Sequence, residues 1–251
     1  VQTFNRSQYE VIVSDDGRQS AKSVVEEFPF ARWIEGPHRG PAANRNYGAR
    51  AASGTYIAFT DDDCLPEPNW LQSFNLAATS SKDLVFEGKT ISDYPLRGAC
   101  FTAPSNETGG YLWSCNFMIQ RELFLQLRGF DENFPHPFLE DVDFRIHLQQ
   151  MAIPFQFVSG AVIMHPQRHM GGILKVLSQY EGYFYLSKKY KQKPSVFGFG
   201  PQFFLRSRKI YLSQSTSFFD FSAMMCRVVV EALILLVLTP IWMCKYAKSK
   251  N

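Results

Sequence analysis

At 251 residues, with 45% hydrophobic and 20% charged side chains, the chain can bury the core of one large α/β domain or two small ones, which excludes a disordered tail. A formal charge of +3 is too small for a nucleic-acid footprint, so no nucleic-acid partner is expected and basic character has to be read locally. The five cysteines, Cys64, Cys100, Cys115, Cys226 and Cys244, are odd in number and show no CxxC pair or Cys/His ligand spacing. They point to a reducing compartment and no zinc site. The opening VQTFNRSQYE has neither the basic start nor the apolar run of a secretory signal, so the expected location is cytosolic.

In chain order, residues 9–14 (YEVIVS) form a β-branched run that stops at Asp15-Asp16-Gly17, the pattern of a buried strand entering a loop. Residues 20–27 predict a short helix, and 31–34 (ARWI) a second strand feeding a Gly/Pro loop at 35–40; strand, helix, strand suggests a parallel sheet. Residues 42–52 carry small side chains at helical spacing and end at Ser53-Gly54, so a closely packed helix is expected. A third buried strand, 56–60 (YIAFT), has Asp61-Asp62-Asp63 at its C-terminal end, the edge at which ligands bind in open α/β sheets.

A helix is expected over 66–79, strands over 83–90 (DLVFEGKT) and 115–120 (CNFMIQ), and between them a loop, 93–110, of the kind that lines or closes a site. Residues 121–127 predict a short helix. A helix over 141–151 carries its acids at the N-terminus, where the dipole favours them. Extended segments at 155–158 and 161–165 flank Gly160. Beyond His165 the composition turns aromatic and basic: a helix is expected over 173–190, then the stretch 197–211, then an almost wholly apolar run, 228–244. That run is short for a span of about 20 residues. It contains Glu231 and Pro240 and is flanked by Arg227 and by Lys245, Lys248 and Lys250. It reads as a tilted span or as an interfacial or re-entrant helix, and either way as membrane contact.

Three consecutive carboxylates repel one another, so they are retained when solvated, capped or neutralised by a cation. A hard ion such as Mg²⁺ or Mn²⁺ suits their oxygens and would bridge to phosphate; the plain alternative is a solvated turn. Asp15 and Asp16 end a neighbouring strand and can accept hydrogen bonds from a base or ribose, or simply form an Asp-Gly turn. Arg45 can neutralise phosphate or join a surface ion pair. Glu140-Asp141 places a second acidic pair at the head of a helix, as a base or as a cap.

Taken together and in order, these motifs resemble family 2 inverting glycosyltransferases with the GT-A fold, a Rossmann-like mixed sheet flanked by helices, over residues 2–165. YEVIVSDDG (9–17) resembles the family's strand ending in DDG, which implies that Asp15 or Asp16 contacts the nucleotide base. GPAANRNYGARAASG (40–54) resembles its G-x-x-x-A-R-N-x-G helix, with Asn44 where Ala is usual. YIAFTDDDCLP (56–66) resembles the strand plus DxD motif: Asp61 and Asp63 are then the motif acids, Asp63 the direct metal ligand, and Asp62 the variable middle residue on the nucleotide-sugar side. NFMIQRELFLQLRGFD (116–131) resembles the segment beneath the acceptor, and LEDVDFRIHL (139–148) the E-D motif, implying Asp141 as catalytic base and Glu140 as its neighbour. His165, after the last strand, stands where many members complete the metal site, although it can equally be a satisfied strand-end histidine. Family members open with a strand and helix that help hold the nucleotide, and Gln2-Thr3-Phe4 already resembles the end of that helix.

The resemblance implies a hexosyltransferase-like, inverting enzyme of polysaccharide biosynthesis at the cytoplasmic face of a membrane. It would use Mg²⁺ or Mn²⁺, a UDP-, GDP- or dTDP-sugar donor and a glycan or lipid-linked acceptor. The expected organisation is a catalytic GT-A domain over 1–170 and a helical membrane-associating region over 171–251. The alternatives are an inactive membrane-bound interaction protein on the same fold, and a nucleotidyltransferase, which would bring a Gly-rich loop and Lys not evident here.

Overall fold

The computed structural model describes residues 1–247 apart from Gln19, Tyr94 and Leu96. Lys248 and Lys250, two of the cations flanking the apolar C-terminal run, lie outside the described residues, as does Leu96 of the 93–110 loop. The chain forms two compact units: residues 1–92, 104–133 and 140–166 make the first, and 93–103, 134–139 and 167–251 the second.

In the first unit, strand β1 (Val11–Asp15), helix α1 (Lys22–Glu26) and strand β2 (Ala31–Glu35) make a parallel pair with its crossover. Helix α2 (Pro41–Ala51) follows, with Pro41 at its first position, where the missing N–H costs nothing. Strand β3 (Tyr56–Thr60) belongs to a separate five-stranded sheet with β4 (Leu65–Pro66), β5 (Val85–Ser92), β7 (Asn116–Gln120) and β8 (Gln156–His165), in the order β3-β7-β5-β8-β4. Only β5 and β8 pair in parallel; the other neighbours are antiparallel. Parallel pairing thus joins β1 to β2, as expected from the first strands, and recurs in the larger sheet only between β5 and β8.

Helices α3 (Trp70–Ser80), α4 (Arg121–Gln126) and α5 (Glu140–Gln150) cover the sheet. Alternation along the strands divides its side chains between two faces. Phe59, Val85, Phe117 and Ile119 pack with Phe124, Phe144 and Leu148, while Phe86, Met118 and Ile163 pack with Trp70, Phe74 and Ala77. Helix α3 begins four residues later than the sequence predicts. Pro66 and Pro68 have no N–H to give a helix, and the Glu67 N–H donates to Val162 O (3.0 Å), so this segment runs as an edge strand before turning.

The second unit contains the short antiparallel pair β6 (Phe101–Thr102) and β9 (Arg168–His169) and the helices α6 (Ile173–Gln179), α7 (Glu181–Tyr190), α8 (Pro201–Ser213) and α9 (Phe218–Ala247). The single helix predicted for 173–190 is broken at Tyr180. There the Tyr180 and Tyr183 N–H groups donate to carbonyls three residues back, at Leu177 and Tyr180, and the chain re-enters a helix after that tighter turn.

Candidate active site

The acidic residues converge because the ends of β3, β8 and α5 and one side of α2 meet within the first unit. Arg45, on α2, is the hub: one guanidinium nitrogen donates to Asp61 Oδ1 (2.7 Å) and the other to Glu140 Oε1 (3.0 Å). Burial works against its charge, but the two carboxylates outweigh that cost and hold it firmly protonated. Two acids 79 positions apart in sequence, Asp61 and Glu140, thus share one cation.

The next residue of α2 fixes this arrangement. Asn46 is buried; its Nδ2 donates to Phe130 O (2.8 Å) and to Glu132 (3.0 Å), while its Oδ1 accepts from Phe130 N–H (2.9 Å). This two-way bond ties α2 to the Gly129-Phe130-Asp131 turn ahead of the acidic helix. Gly129 is required twice there: its φ is +66°, and a Cβ would overlap the Asn46 side chain. Asn44, where the family pattern has Ala, bonds Ser14 on both its main-chain oxygen (2.7 Å) and its hydroxyl (2.6 Å), pinning α2 to β1.

Asp141, at the head of α5, is a carboxyl with a raised pKa. Burial and the adjacent Glu140 carboxylate push it up to about 6, against the opposing pull of the Val142 N–H (2.8 Å), Arg45 and the Ser114 N–H (3.4 Å). A carboxylate raised in this way is matched to accepting a proton near neutral pH.

Asp63 Oδ1 lies 3.5 Å from His165 Nε2. The other ring nitrogen of His165 is 2.9 Å from Pro166 O; a proton on Nδ1 satisfies that carbonyl and leaves Nε2 with a free lone pair facing Asp63. Cys64 completes a group in which the ligand atoms of Asp63, Cys64 and His165 all lie within 4.8 Å of one another. The Cys64 sulfur is already engaged: the Cys115 thiol donates to it, which lowers Cys64 and, with burial, pushes Cys115 up. A carboxylate oxygen and an imidazole nitrogen suit a borderline-hard divalent ion, with room for phosphate oxygens on the 41% exposed Asp63 side. Asp61, expected as a second ligand, gives Oδ1 to Arg45 and is not among the three residues whose ligand atoms gather here. Asp62 is exposed on the turn.

Asp15 and Asp16 sit on a different sheet and organise loops. Asp15 accepts from the N–H groups of Ala21 (2.7 Å) and Gly17 (3.1 Å) and from the Trp33 indole (3.1 Å); the Ala21 bond, then Trp33, holds its carboxyl below the usual range. Asp16 accepts from the N–H groups of His38 and Gly40 (2.8 Å), closing the loop ahead of α2.

Two functional-looking residues escaped sequence reasoning. Glu87, in the apolar run of β5, is buried and accepts from Asn106 Nδ2 (2.7 Å) and from the N–H groups of Gly110 (2.6 Å), Tyr111 (2.7 Å) and Leu112. It anchors the Gly109-Gly110 loop beside Trp113 and Ser114. An acid at an inward position of a strand was its visible signal. Asn116 bonds Lys89 O (2.9 Å), Ala161 O (3.1 Å) and the Trp70 indole (2.8 Å), and had no such signal.

Residues 2–88 match the family profile described as "Glycosyl transferase family 2". Glycosyltransferase AglE of Haloferax volcanii is 39% identical over 77 residues, which are 28% of this chain and 25% of that protein. Chondroitin synthase of Escherichia coli is 39% identical over 72 residues, 26% of this chain and 10% of its own length. The matched segment therefore spans a quarter or less of these relatives. Among solved structures, TarS 1-349 of S. aureus aligns over 74% of this chain and 57% of its own, with a TM-score of 0.54 at 16% identity. Its complex with UDP-GlcNAc gives 0.55 over 74% and 58%, again at 16% identity. That likeness is one of fold: a mixed sheet flanked by helices.

Proposed function

We propose that this chain, whose residues 2–88 match the model of glycosyl transferase family 2 and whose fold is like that of S. aureus TarS, transfers a sugar from a nucleotide-sugar to a hydroxyl acceptor, with inversion at the anomeric carbon. The observation that carries this reading is the convergence of Arg45, Asp61, Glu140 and a raised Asp141 in one unit with Asp63 and His165. The relatives' names and the nucleotide-sugar bound to S. aureus TarS support the donor class.

In this mechanism Asp141 takes the proton of the acceptor hydroxyl as that oxygen attacks the anomeric carbon. The bond from that carbon to the diphosphate breaks, its electron pair leaves with the nucleoside diphosphate, and one displacement inverts the centre. Glu140 and Arg45 hold the helix head in place and tune Asp141. Asp63 and His165 would hold a divalent ion, Mn²⁺ or Mg²⁺, which would neutralise charge on the leaving diphosphate. Asp15 and Asp16 contribute by shaping the loops of the nucleotide side. The division at residue 170 into a catalytic and a membrane-associating part, a glycan or lipid-linked acceptor, and work at the cytoplasmic face of a membrane all belong to this reading.

The test is release of nucleoside diphosphate from UDP-, GDP- and dTDP-sugars with and without Mn²⁺, beside calorimetric donor binding. One donor is expected to bind with Mn²⁺, with Asp63→Ala abolishing that binding and Asp141→Asn sparing it while stopping transfer. Failure of every donor to bind, or binding indifferent to Asp63→Ala, would overturn the proposal.

A further inference from the structure

The charge of +3 conceals two opposite halves. Residues 167–251 hold 13 of the 26 basic side chains and 3 of the 23 acidic ones, a net +10, which leaves −7 for residues 1–166. Within the helical unit, α9 is long and apolar enough to cross a membrane. Its two sides nevertheless differ sharply.

One stripe of α9 is bound to its own unit in the first half of the helix and again near its end. Arg227 donates to Glu231 (2.8 Å) and to Gly171 O (2.8 Å); the fully buried Glu231 also accepts from Arg208 of α8 (2.7 Å), which reaches the Tyr180 hydroxyl (2.9 Å). Further along, Trp242 packs on Phe184 of α7 (5.5 Å between rings), and Lys245 and Tyr246 bond Glu181 (2.6 and 2.9 Å). The opposite stripe, with Phe219, Val230, Leu233, Val237 and Ile241, is exposed. Cys226 and Cys244 are exposed with it; 18 residues apart, they share one azimuth of the helix.

A helix clasped from Arg227 to Tyr246 cannot cross a bilayer without drawing in α6, α7 and α8. Those helices carry exposed Lys175, Lys188, Arg206 and Lys209, whose burial in hydrocarbon is strongly unfavourable. Helix α8 itself exposes Leu205 and Ile210 interleaved with Arg206 and Lys209, the mixture suited to a headgroup boundary. We propose that α9 lies in the plane of an anionic lipid leaflet, with the Val230, Leu233 and Val237 face in the acyl boundary and the cations of this unit against the headgroups. This inference rests on the helical unit alone, so it stands or falls separately from the sugar-transfer reading.

The experiment uses the full chain with phosphatidylcholine vesicles prepared with and without phosphatidylglycerol. Flotation is expected only with the anionic lipid, weakening about fivefold for each of Arg206→Gln and Lys209→Gln and falling with salt. Leu233→Glu with Val237→Glu, both at exposed positions, is expected to reduce binding at least about tenfold while keeping the far-UV helical signal. Orientation is read by labelling Cys226 or Cys244 with NBD, the other and Cys100 being replaced by Ser, and adding dithionite outside the vesicles. In-plane docking holds both labels at one shallow depth in the outer leaflet, so both bleach at the same rate without lysis. A span places them about 27 Å apart in depth, so bleaching of one label only after detergent lysis overturns the proposal. Equal binding to neutral vesicles overturns it too, as does absence of vesicle binding with a concentration-dependent dimer, which would assign the face to a second copy.

Discussion

Replacing Asp141 by Asn separates stability from activity at a single carboxylate. The rise of its carboxyl from the usual 3.8 to about 6 means that the ionised form is disfavoured in the folded protein by about 3 kcal/mol. The folded-state value is raised, so the contribution to stability is full below 3.8 and is lost as pH rises through about 6. At pH 8 the folded wild type carries the whole cost of the charge. Asn removes it and keeps one acceptor for the Val142 or Ser114 N–H, giving up one hydrogen bond worth about 1 kcal/mol. The net expectation is a variant about 2 kcal/mol more stable than wild type at alkaline pH, with the advantage gone at pH 4. Urea unfolding at the two pH values measures this directly. Turnover should fall by about 10²–10⁴, while wild-type kcat should lose tenfold per pH unit below about 6. An Asn variant equally destabilised at both pH values, or a wild-type inflection near 4, would refute the assignment of Asp141 as a strained base.

Arg45→Ala removes a cation that holds Asp141 down, so the inflection of any residual activity should move above 6, as read from a pH profile of kcat. His165→Ala should weaken Mn²⁺-dependent donor binding by about tenfold or more without affecting metal-free stability comparably; calorimetry with and without Mn²⁺ separates the two. Asn46→Ala leaves the Phe130 N–H and carbonyl unpartnered in the core, a loss of about 2–4 kcal/mol visible in chemical denaturation. Glu87→Gln turns an N–H₂ toward N–H donors and should cost about 2–4 kcal/mol, with the 109–114 loop becoming protease-sensitive first.

Much of the first unit was legible from residue order alone. Apolar runs ending in acids located β1 and β3, and small residues at helical spacing located α2, because a buried strand and a close-packed helix both restrict side-chain type locally. The resemblance of the ordered motifs then picked out Asp61, Asp63, Asp141 and His165, and Asp63 and His165 do meet. Local pattern could not show which carboxylate Arg45 would choose. That depended on α2 lying beside both β3 and the head of α5, a long-range packing fixed by Asn46 and the Gly129 turn. Nor could it show that Glu87 would be fully paired, since its donors come from a loop about 20 positions away.

At the other end, composition determined that residues 228–244 are apolar and flanked by cations, but left open whether they cross a bilayer. Hydropathy averages over a helix and loses direction. Only the tertiary structure turns Arg227, Glu231 and Lys245 to one side, pairs them within the helical unit and leaves the opposite side bare. The physical reason is general: a sequence specifies what each residue can bury or bond, whereas the partner that satisfies a buried charge is chosen by the fold that brings it within 3 Å.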